Sequence, residues 1–217
     1  MGHKHSKDEI LAGALLAVFD DGLSQLTFGR LAKRLGISDR IIVYYFPTKD
    51  DLITEVMAAV GLRLQDTLAS AFVAPAADHL ALARTAWPVL AQPDADPIFS
   101  LFFEANGLAA AGRDPYRRVM TQLIDAWSEW LATYFDGTPA ARGAESEAAI
   151  ALIDGLLLLR QLSGPAAADR AAARLGVACG VACPRECLML PGPGFFALVL
   201  GKGGHCREQQ TSCAVGT

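Results

Sequence analysis

Arg30, Lys33, Arg34, Arg40 and Lys49 fall within one short stretch that holds a single acid, Asp39, a local charge of +4 in a chain whose formal net charge is −4. Guanidinium and ammonium groups neutralise phosphates, and arginine can also give two parallel hydrogen bonds to the O6 and N7 of a guanine. Hydroxyl-bearing Thr27, Ser38, Tyr44 and Tyr45 are interleaved with them and supply neutral donors suited to a nucleic-acid backbone. The acidic balance of the whole chain does not suggest nucleic acid; the local distribution of charge does.

A second group of reactive side chains lies near the other end. Cys179, Cys183 and Cys187 recur every fourth residue, with His205 and Cys206 downstream. Three readings are open: a thiolate metal site, an irregular tail, and a chain end altered by a reading-frame change. Pro184 would interrupt a helix gathering the three thiols, and the two-residue intervals of common zinc sites are absent, so no metal and no cofactor is assigned. Catalytic signatures are lacking too. There is no Gly-x-Ser-x-Gly elbow, phosphate-binding glycine loop or His-Glu-x-x-His, and the histidines stand only at 3, 5, 79 and 205; an enzyme is not expected.

The elements that position the basic stretch can be read from capping signals and periodicity. Apolar residues make up 52% of the chain, with much alanine and leucine, which favours helices and predicts an all-α protein. Ser6 and Glu9 have capping-box spacing, and Ile10, Ala14, Leu15, Val18 and Phe19 follow at helical intervals, giving a helix over about 7–21 that Gly22 can stop. Thr27 reads as the next N-cap, with Leu26 and Leu31 as a hydrophobic staple and Gly36 as the stop. Ser38 repeats the device with Ile37 and Ile42, and Phe46-Pro47 ends the third helix. Thr48 and Asp51 open a long fourth helix whose apolar face runs from Leu52 to Leu68, before Pro75. Asp96-Pro97, Asp114-Pro115 and Thr138-Pro139 each place a capping side chain before a proline suited to a first helical turn. They divide the remainder into helices of about 78–91, 96–111, 114–135, 140–163 and 166–176, the first kinked or ended by Pro88.

Two short helices joined by a Gly-Ile-Ser turn, the second polar and aromatic, have the form of a helix-turn-helix. The run Thr27-Phe28-Gly29-Arg30-Leu31-Ala32-Lys33-Arg34-Leu35-Gly36-Ile37-Ser38, followed by Tyr44-Tyr45-Phe46-Pro47-Thr48-Lys49 and Leu52, resembles the N-terminal domain of the TetR family of transcriptional regulators. The resemblance is close over about residues 7–53. Ile37, Ser38, Phe46 and Lys49 occupy matching places, whereas Val43 stands where the family usually has tyrosine and Tyr45 where it often has histidine. It implies a DNA-facing surface of Ser38, Asp39, Arg40, Val43 and Tyr44, with Thr27, Tyr45 and Lys49 on phosphates. Arg40 is the expected base reader.

The resemblance also implies a homodimer that binds a palindromic double-stranded DNA operator and a pocket for a small-molecule effector in the helices that follow. Trp87, Phe99, Phe102, Phe103, Met120 and Trp127 are the expected lining for an apolar or aromatic ligand, with Tyr116, Trp130, Tyr134 and Phe135 nearby and Glu104, Asn106 and Gln122 as polar anchors. A simple packed core is the competing reading for each of them. Release from the operator is expected to follow a movement of the fourth helix that changes the separation of the two recognition helices. The run carrying Ile150, Ile153 and Leu157 is apolar on more than one face, which suits either a dimer interface or a central core helix.

The greasiest window, 148–162, carries Asp154 and Arg160 and is shorter than the roughly 20 residues a bilayer requires. The opening MGHKHSKDE has no apolar run ahead of a cleavage site, so a cytoplasmic protein without membrane association is expected. The expected organisation is a three-helix DNA-binding domain over 1–47, a helical effector-binding and dimerisation domain over 48–176, and a Cys-, Gly- and Pro-rich tail over 177–217, disordered or atypical. The function so read is a ligand-released repressor. The alternatives are an activator with the same DNA-binding module and a helical ligand-binding protein.

Overall fold

A computed structural model describes residues 5–72 and 75–178. Among them the order is α1 (Lys7–Asp21), a 3-10 turn (Leu23–Gln25), α2 (Phe28–Leu35), α3 (Asp39–Tyr45), α4 (Lys49–Ala69), α5 (His79–Leu90), a second 3-10 turn (Pro93–Ala95), α6 (Asp96–Ala110), α7 (Tyr116–Ala132), α8 (Pro139–Ser163) and α9 (Pro165–Arg174). No strand is present among the described residues, and the fold is all-α. The cysteine cluster, the metal reading of it and nearly all of the expected tail lie outside the described residues.

The first four helices begin where the sequence supplies side-chain acceptors. Ser6 Oγ accepts from Glu9 N at 3.2 Å while Glu9 returns a carboxylate oxygen to Ser6 N at 3.1 Å. Thr27 Oγ1 accepts from Arg30 N at 3.3 Å, Ser38 Oγ from Arg40 N at 3.4 Å and Thr48 Oγ1 from Asp51 N at 3.1 Å. Each satisfies a backbone donor that the first helical turn leaves open. Gly36, at φ 66°, takes the left-handed conformation that reverses the chain between α2 and α3, a conformation costly for a residue with a Cβ. Ile10, Leu15, Leu31, Ile42, Phe46 and Leu52 are buried almost completely. Burying each such side chain contributes about 1.5–3 kcal/mol, and together they lock α2 and α3 against α1 and the start of α4.

Two of the expected caps do not form. Asp96 opens α6 from inside the helix, with Ala95 as its N-cap, and gives its carboxylate to the buried Arg160 of α8 at 2.6 and 3.1 Å. A buried guanidinium must be paired, and that demand takes the acid away from the helix end. Asp114 does not cap α7 either: Pro115 is the N-cap and no side chain bonds there. Thr138 does cap α8, accepting from Ala141 N at 3.3 Å. Pro88 lies inside α5, which continues to Leu90.

The longest helix, α8, packs against α5, α6, α7 and α9. α4 touches both α1 and α7, and α6 touches both α1 and α8. These two helices therefore join the N-terminal three helices to the larger bundle.

Candidate DNA-binding surface and effector pocket

α3 is held by its inner side. Ile42 is fully buried and Ile41 and Tyr45 are half-buried, whereas Asp39, Arg40, Val43 and Tyr44 face outward. Arg40, Val43 and Tyr44 follow at the three- and four-residue spacing that shares one helical face. Val43 is 43% and Tyr44 79% exposed, a level of apolar and aromatic exposure that the core does not require and that a groove with base edges and thymine methyls can use. The Tyr44 ring stands edge-on to Tyr45, with centroids 4.9 Å apart, which props it outward.

The five basic residues divide once their partners are known. Arg30 donates to Gln25 at 2.5 Å and Arg34 pairs with Asp20, so both are engaged within the domain. The side chains of Arg40, Lys33 and Lys49 carry no ion pair or hydrogen bond among the described residues. Lys49 is half-buried at the first position of α4. Thr27 and Ser38 are exposed cap residues at the starts of α2 and α3, and Ser38 also lies 3.5 Å from Asp39 Oδ1. The Tyr45 phenol donates to the His5 carbonyl at 3.1 Å, fastening α3 to the start of α1. Lys7 sits over the Phe46 ring at 5.5 Å and pairs with Glu55 at 2.6 Å. Sequence alone does not reveal this fastening, because each partner is remote along the chain.

In the larger bundle, α4, α5, α6, α7 and α8 line a narrow apolar cavity of about 80 Å³. Of the six expected ligand-binding residues, Phe99, Phe102 and Trp127 line it. Trp87 and Met120 are buried in the core, and Phe103 meets the Phe102 ring edge-on with centroids 5.5 Å apart. The rest of the wall comes from Phe72 and from aliphatic residues of α4, α5, α6 and α7, together with Ile150, Ile153 and Asp154 of α8. The period of α4 marks that face as apolar, but an apolar face does not announce whether it meets a side chain or a space.

Asp154 is the ionisable residue of this wall, and burial alone raises its carboxyl to about 7. Glu104 is not a polar anchor of the cavity. It reaches from α6 to the 3-10 turn beyond α1, accepting from Leu23 N and Ser24 N, each at 2.9 Å. Asn106 and Gln122 lie off the wall as well. Ile150 and Ile153 face the cavity and Leu157 is 1% exposed within the protomer. The stripe of α8 that faces outward is instead Ala151, Gly155, Leu158 and Leu162, the last 77% exposed.

The family model for bacterial regulatory proteins of the tetR family matches residues 10–56, the span of α1 to the first turns of α4. The N-terminal domain is a TetR-family domain. No curated protein matches the chain by sequence. Several solved structures share the fold. A transcriptional regulator from Rhodococcus sp. Rha1 superposes with a TM-score of 0.61 at 19% identity, covering 78% of this chain and 94% of its own. The multidrug binding protein EbrR, complexed with imidazole, gives 0.58 at 22% identity, covering 81% and 93%. A protein from Saccharomonospora viridis, described as a transcriptional regulator and bound to choline, gives 0.57 at 20%, covering 77% and 91%. Among the described residues no helix is long and apolar enough to cross a membrane.

Proposed function

We propose that the chain is a transcriptional repressor that binds a palindromic operator as a homodimer and leaves it when a small molecule occupies the cavity. The observation that carries the DNA-binding part is the outward face of α3, where Arg40, Val43 and Tyr44 stand exposed on a helix anchored by Ile42 and Phe46. Arg40 reads bases, while Thr27, Ser38 and Lys49 contact phosphates, with Asp39 at the edge of the same surface. Tyr44, whose hydroxyl has no partner among the described residues, takes the backbone contact more readily than Tyr45, whose phenol already serves His5.

Dimerisation is assigned to α8 and α9. Ala151, Gly155, Leu158 and Leu162 form a small-residue and leucine stripe, apolar surface that a second copy of the same helix pair can cover through a two-fold interface. Ile150, Ile153 and Leu157 support that helix from within the protomer. The expected division at residues 47 and 48 falls at the N-cap of α4.

Two continuous elements support ligand control. α4 begins at Lys49 beside the DNA-facing helix, and four of its middle residues, from Met57 to Leu64, line the cavity. α6 lines the cavity with Phe99 and Phe102 and holds the 3-10 turn of the DNA-binding domain through Glu104. A molecule larger than the narrow space displaces part of its wall, and a displaced α4 or α6 carries the DNA-binding helices with it; half-sites about 34–36 Å apart tolerate little change in the separation of paired recognition helices. Such a ligand favours the displaced form because it fits that form better. The structural relatives bound to imidazole and choline support a small-molecule role for this bundle. Fluorescence anisotropy with labelled duplexes tests the proposal: specific, salt-sensitive binding that a cavity ligand reverses supports it, and the absence of specific binding overturns it.

A further inference from the structure

The cavity wall is aromatic and aliphatic from α4, α5, α6 and α7; α8 adds one carboxyl, that of Asp154. That carboxyl forms no hydrogen bond and no ion pair among the described residues. Arg63 of α4, a cation on a helix that faces it, lies off the wall. An unpartnered carboxyl in apolar surroundings is destabilising in its charged form. Six residues further along α8 the fold deals differently with a buried charge: Arg160 is closed off by the two hydrogen bonds it donates to the Asp96 carboxylate. Asp154 has no such partner and opens onto a space walled by Phe99, Phe102 and Trp127. A carboxylate with aromatic faces around it is the combination that attracts an organic cation, since ring faces and the carboxylate both favour positive charge. A neutral apolar ligand does not use the carboxyl, and an anion is repelled by it.

We propose that the cavity binds a slender cationic amphiphile, an organic monocation with an apolar body, whose charge is held by the Asp154 carboxylate. This rests on the reading of the cavity as the effector site. The narrowness of the space favours an extended body over a globular one. Because the empty site holds its carboxyl near 7, binding of a permanent cation expels one proton to solvent at lower pH. Affinity for the cation therefore falls by roughly tenfold per pH unit below that value and levels off above it.

The test uses the full chain and three probes with the same ten-carbon tail: decyltrimethylammonium, 1-decanol and decyl sulfate. Tryptophan fluorescence reports occupancy through Trp127, and calorimetry in two buffers of different ionisation heat counts protons. At about pH 8 the cation is expected to bind roughly tenfold or more tighter than the alcohol, and the sulfate most weakly. Asp154→Asn is expected to remove the gap between cation and alcohol while leaving alcohol affinity within about twofold. The proton count and pH profile of the unaltered protein supply the same information should the variant fold poorly. An alcohol that binds as well as the cation, or a cation affinity flat from about pH 5 to 8, overturns the role of Asp154 and leaves the effector pocket standing. If none of the three probes binds, the pocket itself is refuted along with its charge preference.

Discussion

Replacing Asp154 by asparagine changes how stability depends on pH, and the size of the effect follows from where the carboxyl sits. In the folded chain it titrates near 7, against a reference value of 3.8. The folded state thus keeps a proton that the unfolded chain has lost above about pH 4. Stability from this group is complete below the unfolded value and is lost as pH rises through 7. Each unit of difference corresponds to about 1.4 kcal/mol, so titration between about pH 5 and pH 8 removes up to roughly 2.5 kcal/mol. That is an upper bound, because water at the cavity mouth can screen the charge. At a urea dependence of about 2 kcal/mol per molar, the wild-type midpoint falls by roughly 1 M across that range relative to Asp154→Asn. The assay is urea unfolding followed by helical circular dichroism at a fixed protomer concentration, which keeps dimerisation constant. All other titrating groups are common to both proteins and cancel in the difference. Midpoints that run parallel from about pH 5 to 8 would refute the claim that Asp154 is a desolvated, unpartnered acid.

Three further outcomes are expected. Glu104→Ala removes the acceptor for Leu23 N and Ser24 N and is expected to cost about 1–3 kcal/mol, with faster amide exchange at those two positions; unchanged exchange there would contradict the clamp. Asp96→Ala leaves the buried Arg160 guanidinium without its partner and is expected to lower stability by about 3–5 kcal/mol, whereas Asp96→Ala with Arg160→Met recovers part of it in thermal melts. Leu158→Glu with Leu162→Glu places charges on the outward stripe of α8 and is expected to shift sedimentation from dimer to monomer with helical content unchanged; a dimer that persists would move the interface elsewhere.

What was legible in the sequence is what is decided locally. Thr27, Ser38 and Thr48 cap their helices because acceptor and donor lie two or three residues apart, and Ile42 and Phe46 orient α3 by their spacing alone. Asp96 shows where such reading stops: its motif is that of a cap, but a buried guanidinium 64 residues away claims the carboxylate. Tyr45 is similar, since the carbonyl of His5 that receives its phenol is 40 residues distant. Asp154 appeared only as a charge interrupting an apolar window; its consequence depends on four other helices leaving a space in front of it. Ile153 and Leu157 suit either an interface or a core helix in the sequence because the run is apolar all round, and only the packing of α5 and α7 on α8 tells the inner faces from the outer stripe.

Whether α3 reads DNA is tested by selection of duplexes from a random library by the full-length protein, followed by anisotropy over a range of salt. The selected sequence is expected to be an inverted repeat with half-site centres about 34–36 Å apart. Arg40→Ala should cost about 1–3 kcal/mol on that duplex and relax the preference at one position, while Lys49→Ala should weaken binding to all duplexes alike and lower the salt slope by about one. Selection that enriches no repeat, or affinity for the selected duplex that Arg40→Ala leaves unchanged, would contradict this role of α3.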